Sequence, residues 1–245
     1  MLNSLEQLAQ RIWPELATLP PDRKAVSSAD VLGSLYFGAL ATAGLVWLAL
    51  SSDWSRLVDE WPLVLFLLLL LIPINRFIFF SQTELTPGIS SSVASSMDGS
   101  VDWAAALILG PVGLWLGVVS AVGRIFFGLR GVQSGNFRWQ IWRDELANLA
   151  ESTLGRLLAL SAYAALGGVF PFPRLTPQTL LLGLAATALM FVFQQVISAP
   201  VYAYLMGVLP KVNPAIDRRR MLGFVVGTGA LLTAGTPFAV LAAAF

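Results

Sequence analysis

Seven apolar stretches, separated by short polar segments, run along almost the whole chain. Most approach the roughly 20 residues that a helix needs to cross a bilayer. Because lipid cannot satisfy exposed backbone groups, and because these stretches lack the alternation of barrel strands, they predict transmembrane helices. The predicted spans are Val31–Leu50, Trp61–Phe80, Ile89–Gly110, Val112–Gly128, Leu146–Val169, Gln178–Met206 and Met221–Phe245.

The first 30 residues have a different pattern. Their apolar positions recur at helical spacing: Leu5, Leu8, Ile12 and Leu16. This spacing predicts an amphipathic helix that lies on the membrane surface and breaks near Pro14. We therefore expect a cytoplasmic N-terminal segment, residues 1–30, followed by a single all-α transmembrane domain, residues 31–245. The predicted architecture is a polytopic bundle of about seven helices.

Polar residues interrupt the third predicted span. Ser91, Ser95, Asp98 and Asp102 are spaced i, i+4, i+7 and i+11, which places them on one face of a helix. If the span begins near residue 89, Asp98 lies about 14 Å along it, close to the bilayer midplane. Ionisable side chains at such a depth are candidates for function by default.

Opposite charges on neighbouring spans fall at matching depths. Arg156 is expected at the depth of Asp98 and Asp102, while Arg124 and Glu151 are expected nearer the cytoplasm. Two ion pairs are therefore predicted: Asp98 or Asp102 with Arg156, and Glu151 with Arg124. Trp103, beside Asp102, is a candidate pocket wall.

Together these side chains form a candidate polar pocket. Its predicted members are Ser91, Ser95, Asp98, Asp102, Trp103, Arg124, Asn148, Glu151, Arg156, Gln194 and Gln195. The pocket could bind a ligand or signal, or conduct an ion or proton. The alternative is structural: the charges snorkel, the serine-rich segment is interfacial or re-entrant, and the polar groups join helices.

Composition supports the membrane assignment and narrows the chemistry. Of the 245 residues, 56% are hydrophobic and 12% are charged, about half the charged fraction of a typical soluble domain. The chain has no His and no Cys, which removes the commonest metal ligands and general base. We expect no catalytic residues, no cofactor and no metal site. No basic patch with interleaved aromatics suggests nucleic acid.

The distribution of Lys and Arg predicts the orientation. Ten of these residues lie in the N-terminal segment and in the segments after the fourth and sixth spans, whereas the segments of the opposite side hold two, Arg56 and Arg174. Because cytoplasmic loops are enriched in Lys and Arg, the N-terminus is predicted to be cytoplasmic. The expected location is the bacterial cytoplasmic (inner) membrane.

Two stretches resemble a known class of protein. They are AAALILGPVGLWLGVVSAVGR and RDELANLAESTLGRLLALSAYAALGG. Between about Thr83 and Gly207 the chain resembles the multi-span membrane input domains that precede HD-GYP or GGDEF modules in bacterial signalling proteins. The matching positions are Gly110, Pro111, Asn148, Tyr163, Gly167 and Gly168. The Gly-Pro segment more weakly resembles substrate-binding subunits of energy-coupling-factor transporters.

The resemblance implies a sensor without catalytic residues of its own. No GGDEF or HD motif occurs in the chain, so we expect either a missing eighth span and output domain or a stand-alone subunit. The leading expectation is a non-catalytic sensor or input module. The alternatives are a small-molecule binding or transport subunit and a structural subunit of a larger complex. Expected partners are membrane lipid, a small-molecule ligand, and other membrane subunits or a second copy.

Overall fold

Helices form most of the described chain. The computed structural model describes residues 2–74, 78–86, 89–96, 98–130, 135–172, 176–212, 219, 222–223 and 236–243. The helices are α1 (Leu2–Ile12), α2 (Pro21–Ser51), α3 (Trp54–Asp59), α4 (Trp61–Ile74), α5 (Asp98–Leu109), α6 (Trp115–Arg130), α7 (Gly135–Ala150), α8 (Arg156–Ala165), α9 (Pro177–Val212) and α10 (Thr236–Ala242). The strands are β1 (Ile78–Thr86) and β2 (Ile89–Ser96).

Helix α1 confirms the predicted N-terminal helix. It ends at Ile12, and a short 3₁₀ turn follows from Pro14, whose ring cannot continue the α-helical hydrogen bonding. Ala9 is fully buried and Leu5 packs against α9, whereas Leu8 and Ile12 remain about half exposed. One face of α1 is therefore held by the bundle and another is left uncovered.

Helices α5 and α6 fold back on each other at Gly110-Pro111, the turn that the sequence predicts. Gly110 has φ of +75°, a conformation that favours glycine, and a 3₁₀ turn over Gly110–Leu114 joins the helices. Asp98 and Arg124 lie 2.5 Å apart at the open end. In one straight helix these residues would be about 39 Å apart. The two helices therefore form a hairpin.

One continuous helical segment, from Gly135 to Ala165, follows the hairpin and is called the rod below. A π-helical turn over Glu151–Gly155 connects α7 to α8. The hydroxyls of Ser152 and Thr153 donate to the carbonyl of Leu149 at 3.3 and 2.7 Å, which stabilises that carbonyl where the helix widens. The rod packs between α2 and α9.

The largest apolar core lies where α5, α8 and α9 meet. Its fully buried large residues include Trp103, Leu107, Leu157 and Tyr163. The tip of the α5–α6 hairpin lies at the end of the bundle that also holds Arg56, whose guanidinium donates to Phe170 O at 3.3 Å. The core thereby fixes the hairpin against the rod.

The prediction that Ile89 begins a helical span is wrong. Strand β2 pairs antiparallel with β1, so that Thr83 lies opposite Ser91 and Phe79 opposite Ser95. The helical prediction for Ile78–Phe80, at the end of the second span, fails for the same reason, and positions 75–77 lie outside the described residues. Ser and Thr compete for backbone hydrogen bonds and disfavour helix interiors, and the intervening Pro87-Gly88 is a pair typical of turns.

In the part of the chain that the structure describes, three helical stretches are long and apolar enough to cross a membrane: Ser27–Ser51, Asp98–Phe127 and Pro177–Val208. The second is the α5–α6 hairpin, and its 12-residue arm α5 is only about 18 Å long. The predicted count of seven spans is not confirmed. Most of the predicted seventh span, Met221–Phe245, lies outside the described residues.

Membrane orientation can be tested with single cysteines, because the native chain has none. Arg219 and Glu60 are both exposed and are predicted to lie on opposite sides. A membrane-impermeant maleimide should label Arg219→Cys in inside-out vesicles and Glu60→Cys in right-side-out preparations. Labelling of Arg219→Cys from the outside would overturn the predicted orientation.

Candidate functional site

A buried ion pair joins α5 to α8 at the centre of the polar residues. The Nη1 group of Arg156 donates to Oδ2 of Asp102 at 3.1 Å, and the two residues are only 6% and 3% exposed. Among the residues that the structure describes, Asp102 Oδ1 and Arg156 Nε have no hydrogen-bond partner, although both atoms are buried. Each charge is therefore compensated by its partner, but neither side chain is fully satisfied.

Two glycines make room for this pair. A Cβ atom at Gly117 of α6 would lie 2.7 Å from Asp102 Oδ2 and 3.5 Å from Arg156 Nη1. One at Gly99 of α5 would lie 3.2 Å from Arg156 Nη2. Since the 2.7 and 3.2 Å distances are shorter than ordinary van der Waals contact, the ion pair fills the space that side chains at these two positions would need.

A second charged cluster joins α5, α6 and α7 at the open end of the hairpin. Arg124 lies between two carboxylates: Nη1 is 2.5 Å from Asp98 Oδ2, and Nε is 2.9 Å from Glu145 Oε1. Its Nη2 also donates to Glu145 Oε2 at 3.0 Å, so that contact is bidentate. Ser120 accepts a further hydrogen bond from Nη1 at 3.0 Å. This arrangement holds three elements together with charge-assisted hydrogen bonds.

Glu151, the first residue of the π turn, has a different kind of partner. Its Oε1 accepts a hydrogen bond from the hydroxyl of Ser198 on α9. Ser198 is 3% exposed, whereas Glu151 is partly buried. Thus the rod is joined to α9 through a carboxyl and a hydroxyl rather than through an ion pair.

The predicted pairing is half right. The structure confirms Asp102 with Arg156, but Arg124 contacts Asp98 and Glu145 in place of the predicted Glu151. The physical reason is the fold of the hairpin: the Gly110 turn brings Arg124 back beside Asp98, one turn of helix from Asp102. The prediction had placed Arg124 by depth alone, without its rotation about the helix.

The other predicted pocket residues are scattered. Trp103 is fully buried in the core, and its indole donates to Thr187 Oγ1 at 2.9 Å. Asn148 is exposed, and Gln194 and Gln195 are partly buried on α9. The side chain of Gln194 packs against Gly155. A Cβ atom at Gly155 would lie 2.8 Å from Cγ of Gln194.

Ser91 and Ser95 lie on β2 and not on the helix that carries Asp98 and Asp102. The predicted four-residue polar helix face is therefore wrong. Only Asp98 and Asp102, which are spaced i, i+4, share a helix, and that helix is α5.

Glu145, Ser198 and Gly117 were missed from the sequence. Glu145 adjoins the charged segment with Arg143 and Asp144, so it resembled a solvated loop residue. Ser198 and Gly117 belong to apolar runs in which single Ser and Gly residues are common. Glu145 and Glu151 are six residues apart, so they do not share a helix face, and their spacing gives no signal of either partner.

A third ionic cluster ties α7 to α2. Arg143 contacts Asp30 at 2.7 Å and Asp144 at 2.8 Å. Burial favours the neutral guanidine, but attraction to Asp30 and Asp144 outweighs it, so the pKa of Arg143 is raised above its ordinary value. Arg143 therefore remains a fixed positive charge at this junction.

The site offers polar and charged groups but no evident metal chemistry. Among the described residues, no three His, Cys, Asp or Glu side chains cluster in a way that could hold a metal ion. No protein-family model, curated protein or solved structure matches the chain.

Proposed function

We propose that this chain is a non-catalytic, membrane-embedded input module of a bacterial signalling system, with a cytoplasmic N-terminus in the inner membrane. The observation that supports the proposal most directly is the connected charge network. Asp98 and Asp102 both lie on α5. Asp98 contacts Arg124 on α6, and Asp102 contacts Arg156 on α8. A movement of one of these helices would change ion pairs on the rest.

The π turn supports the same proposal. Such turns are rare and occur frequently at functional sites. The turn ends at Gly155, and the next residue is the ion-paired Arg156. A change in the turn would therefore alter the position of Arg156 relative to Asp102, which is the kind of two-state element that a sensor requires.

A binding or transport subunit is the alternative. The buried Asp102 Oδ1 and Arg156 Nε, which lack hydrogen-bond partners, favour it because such groups are the ones that a small polar ligand satisfies. The close fit of Gly99 and Gly117 around the pair argues against a ligand of appreciable size at that point.

The proposal can be tested by mild cross-linking of the full chain in its native membrane, followed by identification of its partners. An input module should capture a cytoplasmic GGDEF or HD-GYP protein, and deletion of the chain should change cellular cyclic-dinucleotide levels at least severalfold. Capture of an ATPase with a coupling subunit would instead support the transport alternative. Constitutive recovery in a large complex, with unchanged nucleotide levels, would indicate a structural subunit.

A further inference from the structure

Glu151 differs from the other carboxyl groups of the bundle. Asp98, Asp102 and Glu145 each contact an arginine. Glu151, among the residues that the structure describes, has no Lys or Arg nitrogen within the 4.0 Å of an ion pair and instead contacts the Ser198 hydroxyl. Ser198 lies ten residues before Val208, the end of the apolar stretch of α9, which is about 15 Å along the helix.

Among the described side chains, the elements around the π turn do not supply a positive charge to Glu151. The π turn packs against α2, α7, α8 and α9. The titratable side chains on those elements include Tyr36, Glu145, Arg156 and Tyr202. Glu145 and Arg156 have their own ionic partners, and the Tyr36 hydroxyl donates to Ile197 O at 2.9 Å. Tyr202, four residues after Ser198 on α9, offers a phenol and no positive charge.

An ionised Glu151 carboxylate without a cation is costly at this partly buried position beside the apolar stretch of α9. Neutralisation requires a bound cation or a proton. Ca²⁺ and Mg²⁺ need six or more oxygen ligands, whereas this position offers one carboxyl and one serine hydroxyl. The donor set therefore favours a proton.

We propose that Glu151 and Ser198 form a proton-binding site in the bundle. The Ser198 hydroxyl donates to Oε1, and Oε2 carries the proton. Loss of that proton to water leaves a carboxylate without a cation at the contact between the π turn and α9, where burial disfavours the charge. Proton occupancy thus acts on the segment that precedes Arg156. The assignment stands independently of the signalling partner proposed above.

Infrared spectroscopy of the full chain in lipid nanodiscs tests this directly. Because the chain has 14 Asp and Glu residues, the spectrum of Glu151→Gln must be subtracted from that of wild type. The carbonyl band of a protonated carboxyl should be present in wild type at neutral pH and lost in Glu151→Gln. Ser198→Ala should shift this band, because the hydrogen bond to Oε1 is removed. Asp53→Asn, which alters an exposed arginine-paired carboxyl, should leave it unchanged.

Two outcomes would overturn the proposal. One is an unchanged carbonyl region in Glu151→Gln, which would mean that the carboxyl is ionised in wild type. The other is a band that appears in choline buffer and disappears in sodium buffer, which would identify a monovalent cation site. If Glu151→Gln does not fold, the band shift in Ser198→Ala decides the question, and its absence counts against the proposal.

Discussion

Asp102→Asn and Arg156→Gln are each expected to destabilise the detergent-solubilised protein by about 3–5 kcal/mol. Each change leaves the other charge buried without its partner, since the two residues are 3% and 6% exposed. The loss should appear as a lower midpoint in thermal or denaturant unfolding curves. No comparable loss is expected from Asp53→Asn, which alters the exposed pair with Arg56 and retains a side chain that can cap a helix.

The double variant distinguishes loss of the ion pair from a general disruption of packing. Asp102→Asn with Arg156→Gln should be less destabilised than the sum of the two single changes, because both remove the same interaction. Strict additivity of small shifts would show that the charges do not depend on each other. It would also remove the main support for a coupled charge network.

Gly113→Ala is expected to cost about 1–3 kcal/mol, the range for overpacking of a tightly packed interior. A Cβ atom at this position would overlap the backbone carbonyl of Ala105 and would lie 2.9 Å from the amide nitrogen of Ala106. Backbone atoms cannot move aside as a side chain can, so the hairpin between α5 and α6 would have to open.

Gly123→Ala is the matched control on α6. A Cβ atom there meets nothing within 4 Å, and alanine is the better helix former by about 0.5–1 kcal/mol. Its midpoint should be unchanged or slightly raised. Equal effects at positions 113 and 123 would contradict the close approach of the hairpin arms.

Much of the architecture follows from the sequence alone. Lipid restricts the chain to structures that satisfy their own backbone, so long apolar runs predict helices wherever they occur. Gly110-Pro111 predicted the turn because few other residue pairs favour it. The helix of the first 12 residues followed from spacing, and its end followed from Pro14.

The partners of the charged residues depended on the tertiary structure. Depth along a predicted span specifies one coordinate of a side chain, whereas an ion pair also requires rotation about the helix axis and the packing of its neighbours. Asp102 and Arg156 agreed with the prediction, while the folding back of α6 placed Arg124 beside Asp98 and Glu145. The π turn changes the direction in which the side chains of α8 point around the helix axis. No pattern in the sequence predicts this turn. The pairing of Ile78–Thr86 with Ile89–Ser96 likewise depends on contacts between segments, which hydropathy does not describe.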